Sequence, residues 1–182
     1  TLDPFPPGEF DAIISNAAGC GSHLKHYQAL LKDDEQYADL AREWDGKLKD
    51  IHEWLAGIGV RAPLGKASGQ AQKVTYHEAC HLRRELGIEA QPRTLISSCP
   101  KTKLIEMGQA EVCCGFGGTF AVKYPEISGA MLQDKIDNIR DSEADTVVAC
   151  DSTCLMHIAG GLEKQNVPVE SVHLAQLLDE AI

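Results

Sequence analysis

A chain of 182 residues, 43% hydrophobic and 24% charged, is long enough to bury a core and is composed like an ordinary soluble globular protein. Its formal net charge of −10 excludes the basic surface that nucleic-acid binding needs, and no apolar run reaches the roughly 18 residues of a membrane span. Seven cysteines, an odd number in a chain too large to need disulfide staples, point to reduced thiols used for metal or redox chemistry, hence a cytoplasmic setting. Thr1 in place of Met fits a processed product or a piece of a longer chain.

In chain order, residues 11–17 (DAIISNA) read as a short strand ended by Gly19-Cys20-Gly21. Tyr37, Ala41, Trp44, Leu48, Ile51, Leu55 and Ile58 then recur at alternating spacings of four and three. That spacing predicts one helix packed on the core, with Asp33 or Asp34 at its N-cap and Gly59 past its end. Residues 61–72, with Pro63, Gly65, Ser68 and Gly69, read as a loop and unit boundary. From there strand and helix patterns alternate: strand 74–77, a helical turn from Ala79, strand 104–107 and helix 124–140 with Pro125 in its first turn. Strand 146–149, helix 154–165, strand 167–172 and helix 174–182 complete the series. This order predicts an α/β fold, doubly wound around a mostly parallel sheet with helices on both faces.

An internal echo accompanies the alternation. Residues 13–24 read IISNAAGCGSHL and residues 147–158 read VVACDSTCLMHI, each a strand, a loop and Cys-x-x-His followed by an aliphatic residue. Ile51-His52 before WLAGI repeats Val172-His173 before LAQLL. The repetition predicts a duplicated unit. Residues 1–65 would be the C-terminal tail of a first copy, and residues 66–182 a complete second one.

Within the second copy the cysteines follow the strands. Cys80 follows TYHEA, Cys150 ends TVVA, Cys154 opens the next helix, and Cys113-Cys114 stand in EVCCGFGGTF (111–120). In an open α/β sheet the loops at the carboxyl ends of strands gather at one crevice, so these five thiols are expected to meet there. Neighbouring cysteines reach disulfide geometry with each other only with difficulty, whereas adjacent thiolates suit a metal centre. Gly115, Gly117 and Gly118 allow a sharp turn and let backbone N–H groups point at sulfur. Such a soft thiolate set selects an iron–sulfur cluster or zinc. His77, His81 and His157 lie beside the thiols, where an imidazole can tune a cluster or replace a thiolate in a zinc site. Cys99, in a Ser-Ser-Cys-Pro loop, reads as structural, and Glu126 and Asp151 as solvated loop charges. The chain carries no Walker-type phosphate loop.

HEACH (77–81), CCGFGG (113–118) and ACDSTCLMHIAGG (149–161) resemble the cysteine-rich CCG domain family. Its members include iron–sulfur subunits of glycolate oxidase, a lactate-utilisation iron–sulfur protein and a cluster-binding component of heterodisulfide reductase. The resemblance covers nearly the whole chain. It implies an electron-transfer subunit that relays electrons from a flavin-containing oxidase subunit acting on glycolate or lactate. It also implies a cluster, of the 4Fe–4S type, held by Cys80, Cys113, Cys114, Cys150 and Cys154, with Cys20 matching the last cysteine of a first copy. The chain would be cytoplasmic, or peripheral at the inner face of the membrane through its partners. Alternatives are disulfide chemistry of the heterodisulfide reductase type and a zinc-stapled module without catalysis. Two departures from the family pattern stand out: Cys150 and Cys154 are separated by three residues rather than two, and Asn16 stands where the second copy has Cys150.

Overall fold

The computed structural model describes residues 2–4, 6–60 and 71–180. The first segment contains strand β1 (Ile13–Ser15), helix α1 (Ala18–Lys25), a single helical turn α2 (Tyr27–Leu30), helix α3 (Ala38–Lys47), strand β2 (Leu48–Asp50) and helix α4 (Ile51–Gly57). The second contains β3 (Gln72–His77), a π-helical turn at His81–Glu85, α5 (Ala90–Ser98), β4 (Thr102–Leu104), α6 (Thr119–Lys123) and α7 (Pro125–Asp141). It ends with β5 (Thr146–Ala149), α8 (Ser152–Lys164), β6 (Glu170–His173) and α9 (Leu174–Glu180). Most of the predicted loop over 61–72 lies outside the described residues.

The α/β architecture is as expected, with two parallel sheets. One has four strands in the order β4-β3-β5-β6; the other pairs β1 with β2. The chain leaves β3 towards β4 on one side and returns to β5 on the other, so the topological switch lies between β3 and β5. Ligands in open parallel sheets bind outside the strand ends at such a switch, and His77 and Cys150 are the residues that end or follow these two strands. β5 is buried along its whole length, as a central parallel strand covered on both faces should be. Helix α7 packs on α8, while α5 packs on α9 and on α4.

Three expectations are corrected. The single long helix over 37–58 is instead α3, β2 and α4. Leu48 and Asp50 are drawn into parallel pairing with Ile13 and Ser15, and the Asp50 side chain caps α4 by accepting from His52 N at 2.8 Å. The spacing of four and three runs across this break without marking one face: Ala41, Trp44 and Leu48 are buried in one cluster, Leu55 packs on the other, and Ile58 is exposed. Helix α5 falls where the sequence shows no helical pattern: its nine residues bury only Pro92, Leu95 and Ile96, too few for a clear stripe. Strand 104–107 is shifted to Thr102–Leu104, where it pairs with Gln72, Lys73 and Val74 of β3.

Asp151, expected to be solvated, is buried and caps α8, accepting from Thr153 N at 3.0 Å and Cys154 N at 3.3 Å. Its other oxygen accepts from Gly19 N at 3.1 Å, so one carboxylate ties α8 to α1, 132 residues apart in sequence. Burial alone would raise its pKa, but the Thr153 hydroxyl and the three N–H groups together hold it below the ordinary carboxylate value. A depressed carboxylate adds stability above its unfolded pKa and loses it as pH falls through the folded value. Asp151→Ala should therefore cost about 2 kcal/mol near neutrality, a fall of roughly 4–8 °C in melting temperature. The difference from the unsubstituted chain should shrink below about pH 4. Thermal unfolding at pH 7 and pH 3.5 measures both; an equal difference at the two pH values would contradict the ionised cap.

Candidate metal centre

Adjacent residues of a strand face opposite sides of a sheet, and the end of β3 uses this. Tyr76 turns towards α5, where Arg93 stacks over its ring at 5.2 Å. His77 turns the other way, towards α7, α8 and the Cys113-Cys114 loop. Its imidazole has a nitrogen within 4.8 Å of the sulfur atoms of Cys114 and Cys154, which are themselves within that distance of each other; all three residues are buried. Cys114 hydrogen-bonds with both Cys154 and Cys113, and Cys113 with Cys80. Four thiols from three loops and one buried imidazole thus converge at the switch point. His81 is exposed, its Nδ1 3.7 Å from Cys80 Sγ. His157 sits at the rim, its Nε2 3.4 Å from Ser128 Oγ and its ring 5.7 Å from that of Phe116.

The fifth thiol of the expected set lies elsewhere. Val148 pairs with Tyr76 in the sheet, so Cys150, two residues on, falls on the Tyr76 side. It is fully buried with its sulfur 3.6 Å from the Tyr76 hydroxyl, and burial raises its pKa well above the ordinary thiol range. Cys20 is exposed on α1. Cys99 is buried and donates to Leu95 O at 3.5 Å, the structural role read from the sequence.

The glycine-rich loop is built as its composition predicts. Gly115, Gly117 and Gly118 have φ of 88°, 51° and 56°, in the region that glycine tolerates and other residues avoid. Gly115 N donates to Cys113 Sγ at 3.4 Å, and the Phe116 amide points at Cys114, so the turn presents N–H groups to sulfur. The loop is fastened to the first turn of α7 by Ser128, whose hydroxyl donates to Gly115 O at 2.8 Å. Lys135, one of the most buried side chains, donates to Gln109 O at 2.6 Å and to Ala110 O at 3.4 Å, holding the segment that leads into Cys113. Neither Ser128 nor Lys135 carried a sequence signal beyond its place on α7, because their partners are backbone carbonyls distant in sequence.

The four thiols do not share their protons evenly. Hydrogen bonds from Cys114 and then Cys80 hold Cys113 as a thiolate, with its pKa pushed down to about 2. The same bonds raise Cys80 and Cys114. Burial pushes His77 down to about 3, assisted by the Lys135 ammonium, so its imidazole is neutral, the form that can ligate a metal. Thiolate is the reactive form of cysteine, so iodoacetamide should alkylate Cys113 in the metal-free chain at similar rates at pH 6 and pH 8. An ordinary thiol would slow roughly a hundredfold over the same interval. Peptide mapping of the labelled chain distinguishes the two.

A family model described as a cysteine-rich domain, CCG, matches residues 74–159. The chain is 31% identical over 181 residues to lactate utilization protein A of an Exiguobacterium species, an alignment spanning 100% of this chain and 73% of that protein. It is 33% identical over 173 residues to lactate utilization protein A of Macrococcus caseolyticus, covering 94% of this chain and 69% of that one. It is also 35% identical over 175 residues to a protein named probable glycolate oxidase iron-sulfur subunit in Bacillus subtilis, covering 95% of this chain and 39% of the longer relative.

Proposed function

The chain belongs to the cysteine-rich CCG family of the lactate utilization A proteins, and from that membership we propose that it is the iron–sulfur electron-transfer subunit of a complex oxidising a 2-hydroxy acid, lactate or glycolate. The observation that carries the proposal is the convergence of Cys80, Cys113, Cys114 and Cys154 with buried His77 at the sheet's switch point. The donor set fits such a group: soft sulfur atoms, backbone amides aimed at them, and a neutral imidazole whose ring nitrogens lack hydrogen-bond partners among the described residues. Bound there, an iron–sulfur cluster, on this proposal 4Fe–4S, accepts and releases electrons one at a time.

The chain's own residues do three things for that chemistry. The thiols ligate, and because Cys80 and Cys114 hold their protons, loading must release protons. The Lys135 ammonium supplies a positive charge in the field of Cys114, Cys113 and Cys154, which offsets the charge of the thiolates. The apolar core that includes Cys114, Cys154, Ile136 and Ile158 limits water around the sulfur atoms. On this proposal the partner subunit would hold the flavin that takes two electrons and two protons from the hydroxy acid, leaving the 2-oxo acid, and this chain would take those electrons from it one at a time. Among the described residues no helix is long and apolar enough to cross a membrane. The setting proposed is cytoplasmic.

We also take the segment before the boundary near residue 65 as the tail of a first copy of this unit. Apart from α2 and α3, inserted between α1 and β2, the order β1-α1-β2-α4 repeats β5-α8-β6-α9, each with parallel pairing, and the matching His52 and His173 meet with ring centroids 5.5 Å apart. Cys20 then occupies the place of Cys154.

Metal and acid-labile sulfide analysis with a visible spectrum, on protein purified without oxygen, tests the function. Iron with sulfide is the expected result. Zinc without sulfide would assign a structural site instead, for which three thiolates and one imidazole are also a suitable set.

A further inference from the structure

His77 is the one member of the constellation whose chemistry is unexplained by folding. It ends β3 fully buried, yet neither Nδ1 nor Nε2 has a hydrogen-bond partner among the described residues. The Ala110 carbonyl acts on the ring as an acceptor without reaching hydrogen-bond geometry, and it already accepts from Glu78 N at 3.1 Å and Lys135 Nζ at 3.4 Å; it can serve at most one of the two nitrogens. A buried polar group left without a partner is a net cost to stability. An apolar side chain at this position would avoid that cost. A ring nitrogen stands within 4.8 Å of Cys114 Sγ and Cys154 Sγ, close enough for one ion to touch all three atoms after small side-chain shifts. The pleat of β3 turns His77 towards these sulfurs, and Glu78, bound by Arg93 at 2.6 Å and Arg83 at 3.1 Å, fixes the strand end that carries it.

We propose that His77 is a direct ligand of the metal centre, so that the site is a mixed thiolate–imidazole one with Cys114 and Cys154 as its nearest sulfur donors. This rests on the metal-binding reading of the site but not on the metal being iron. Imidazole is neutral where thiolate is anionic, so replacing one thiolate by His77 lowers the net negative charge on the centre. In iron–sulfur centres, histidine in place of cysteine raises the reduction potential. His77 would thus set the centre to accept electrons more readily than an all-thiolate one.

The test uses the full chain labelled with nitrogen-15 in histidine, loaded without oxygen with iron and sulfide, and compared with His77→Cys and His77→Ala. Pulsed EPR of the reduced wild-type protein should detect a nitrogen bonded to the centre. His77→Cys should keep its iron, lose the nitrogen signal and titrate at a lower potential. His77→Ala should bind iron at least about tenfold more weakly. A wild-type protein that holds iron without a bonded histidine nitrogen would overturn the inference, as would a nitrogen signal that survives in His77→Cys.

If the wild-type protein takes up no iron with sulfide, the electron-transfer reading fails, and cobalt(II) then decides on His77. X-ray absorption should find nitrogen as well as sulfur bonded to cobalt in the wild-type protein, and His77→Ala should bind cobalt at least about tenfold more weakly. Sulfur-only ligation, equal cobalt affinity in the two proteins, or no cobalt binding at all would overturn the inference.

Discussion

Cys114→Ser should leave the chain with at least about tenfold less iron and acid-labile sulfide, whereas Cys150→Ser should retain both. The two cysteines are comparably buried, and a reading by motif treats them alike. What separates them is the face of the sheet. Cys114 hydrogen-bonds with Cys113 and Cys154 and lies within ligating distance of His77, so a hydroxyl there removes a soft donor from the middle of the set. Cys150 bonds to the Tyr76 hydroxyl on the other side of β3 and β5. Serine in its place can keep that bond, at a cost on the order of 1 kcal/mol in stability. Iron and sulfide assays on the two variants, each checked for folding by circular dichroism, decide the matter. Loss of iron in Cys150→Ser equal to that in Cys114→Ser would bring Cys150 back into the ligand set.

Gly115→Ala should be the most damaging single-methyl change in the loop. A Cβ at this position would lie 2.7 Å from Ser128 O and 2.9 Å from Met131 Cβ, and the neighbour that must yield first is the backbone of α7. The φ of 88° adds strain of about 1–3 kcal/mol for a residue with a side chain. Relief requires the loop to back away from α7, which breaks the bond from Ser128 to Gly115 O and withdraws Cys114 from Cys154. The variant should lose stability and metal together. Gly118→Ala is the control: its φ is 56°, but a Cβ there meets nothing within 4 Å, so it carries strain without collision and should keep its metal. Equal metal content in the two alanine variants would show that loop packing on α7 does not position Cys114.

The expectations that held rest on signals confined to a few consecutive residues. TVVA is a short β-branched run and forms a buried strand, Pro125 opens a helix because its missing N–H needs no partner there, and three glycines around an aromatic mark a turn with positive φ. The switch-point rule then brings the loops after β3, β4 and β5 to one crevice without any knowledge of contacts. HEACH and CCGFGG carried the family resemblance for the same reason, since each is a local arrangement of thiols, imidazoles and turns.

The expectations that failed depended on pairing between distant residues. Whether 37–58 is one helix or two helices around a strand is decided by β1, which offers Leu48–Asp50 a parallel partner that local propensity cannot see. Whether Asp151 is solvated or buried is decided by Gly19, brought to it by the packing of α1. Which cysteines come together at the crevice is decided by strand register, because a shift of one residue moves a side chain to the opposite face. The sequence by itself therefore determined the fold class, the crevice and the kind of chemistry, all of which follow from local patterns and connection order. Only the tertiary structure decided that Cys150 faces Tyr76 and that His77 stands buried among the thiols, because the face a side chain occupies depends on partners that only the folded chain supplies.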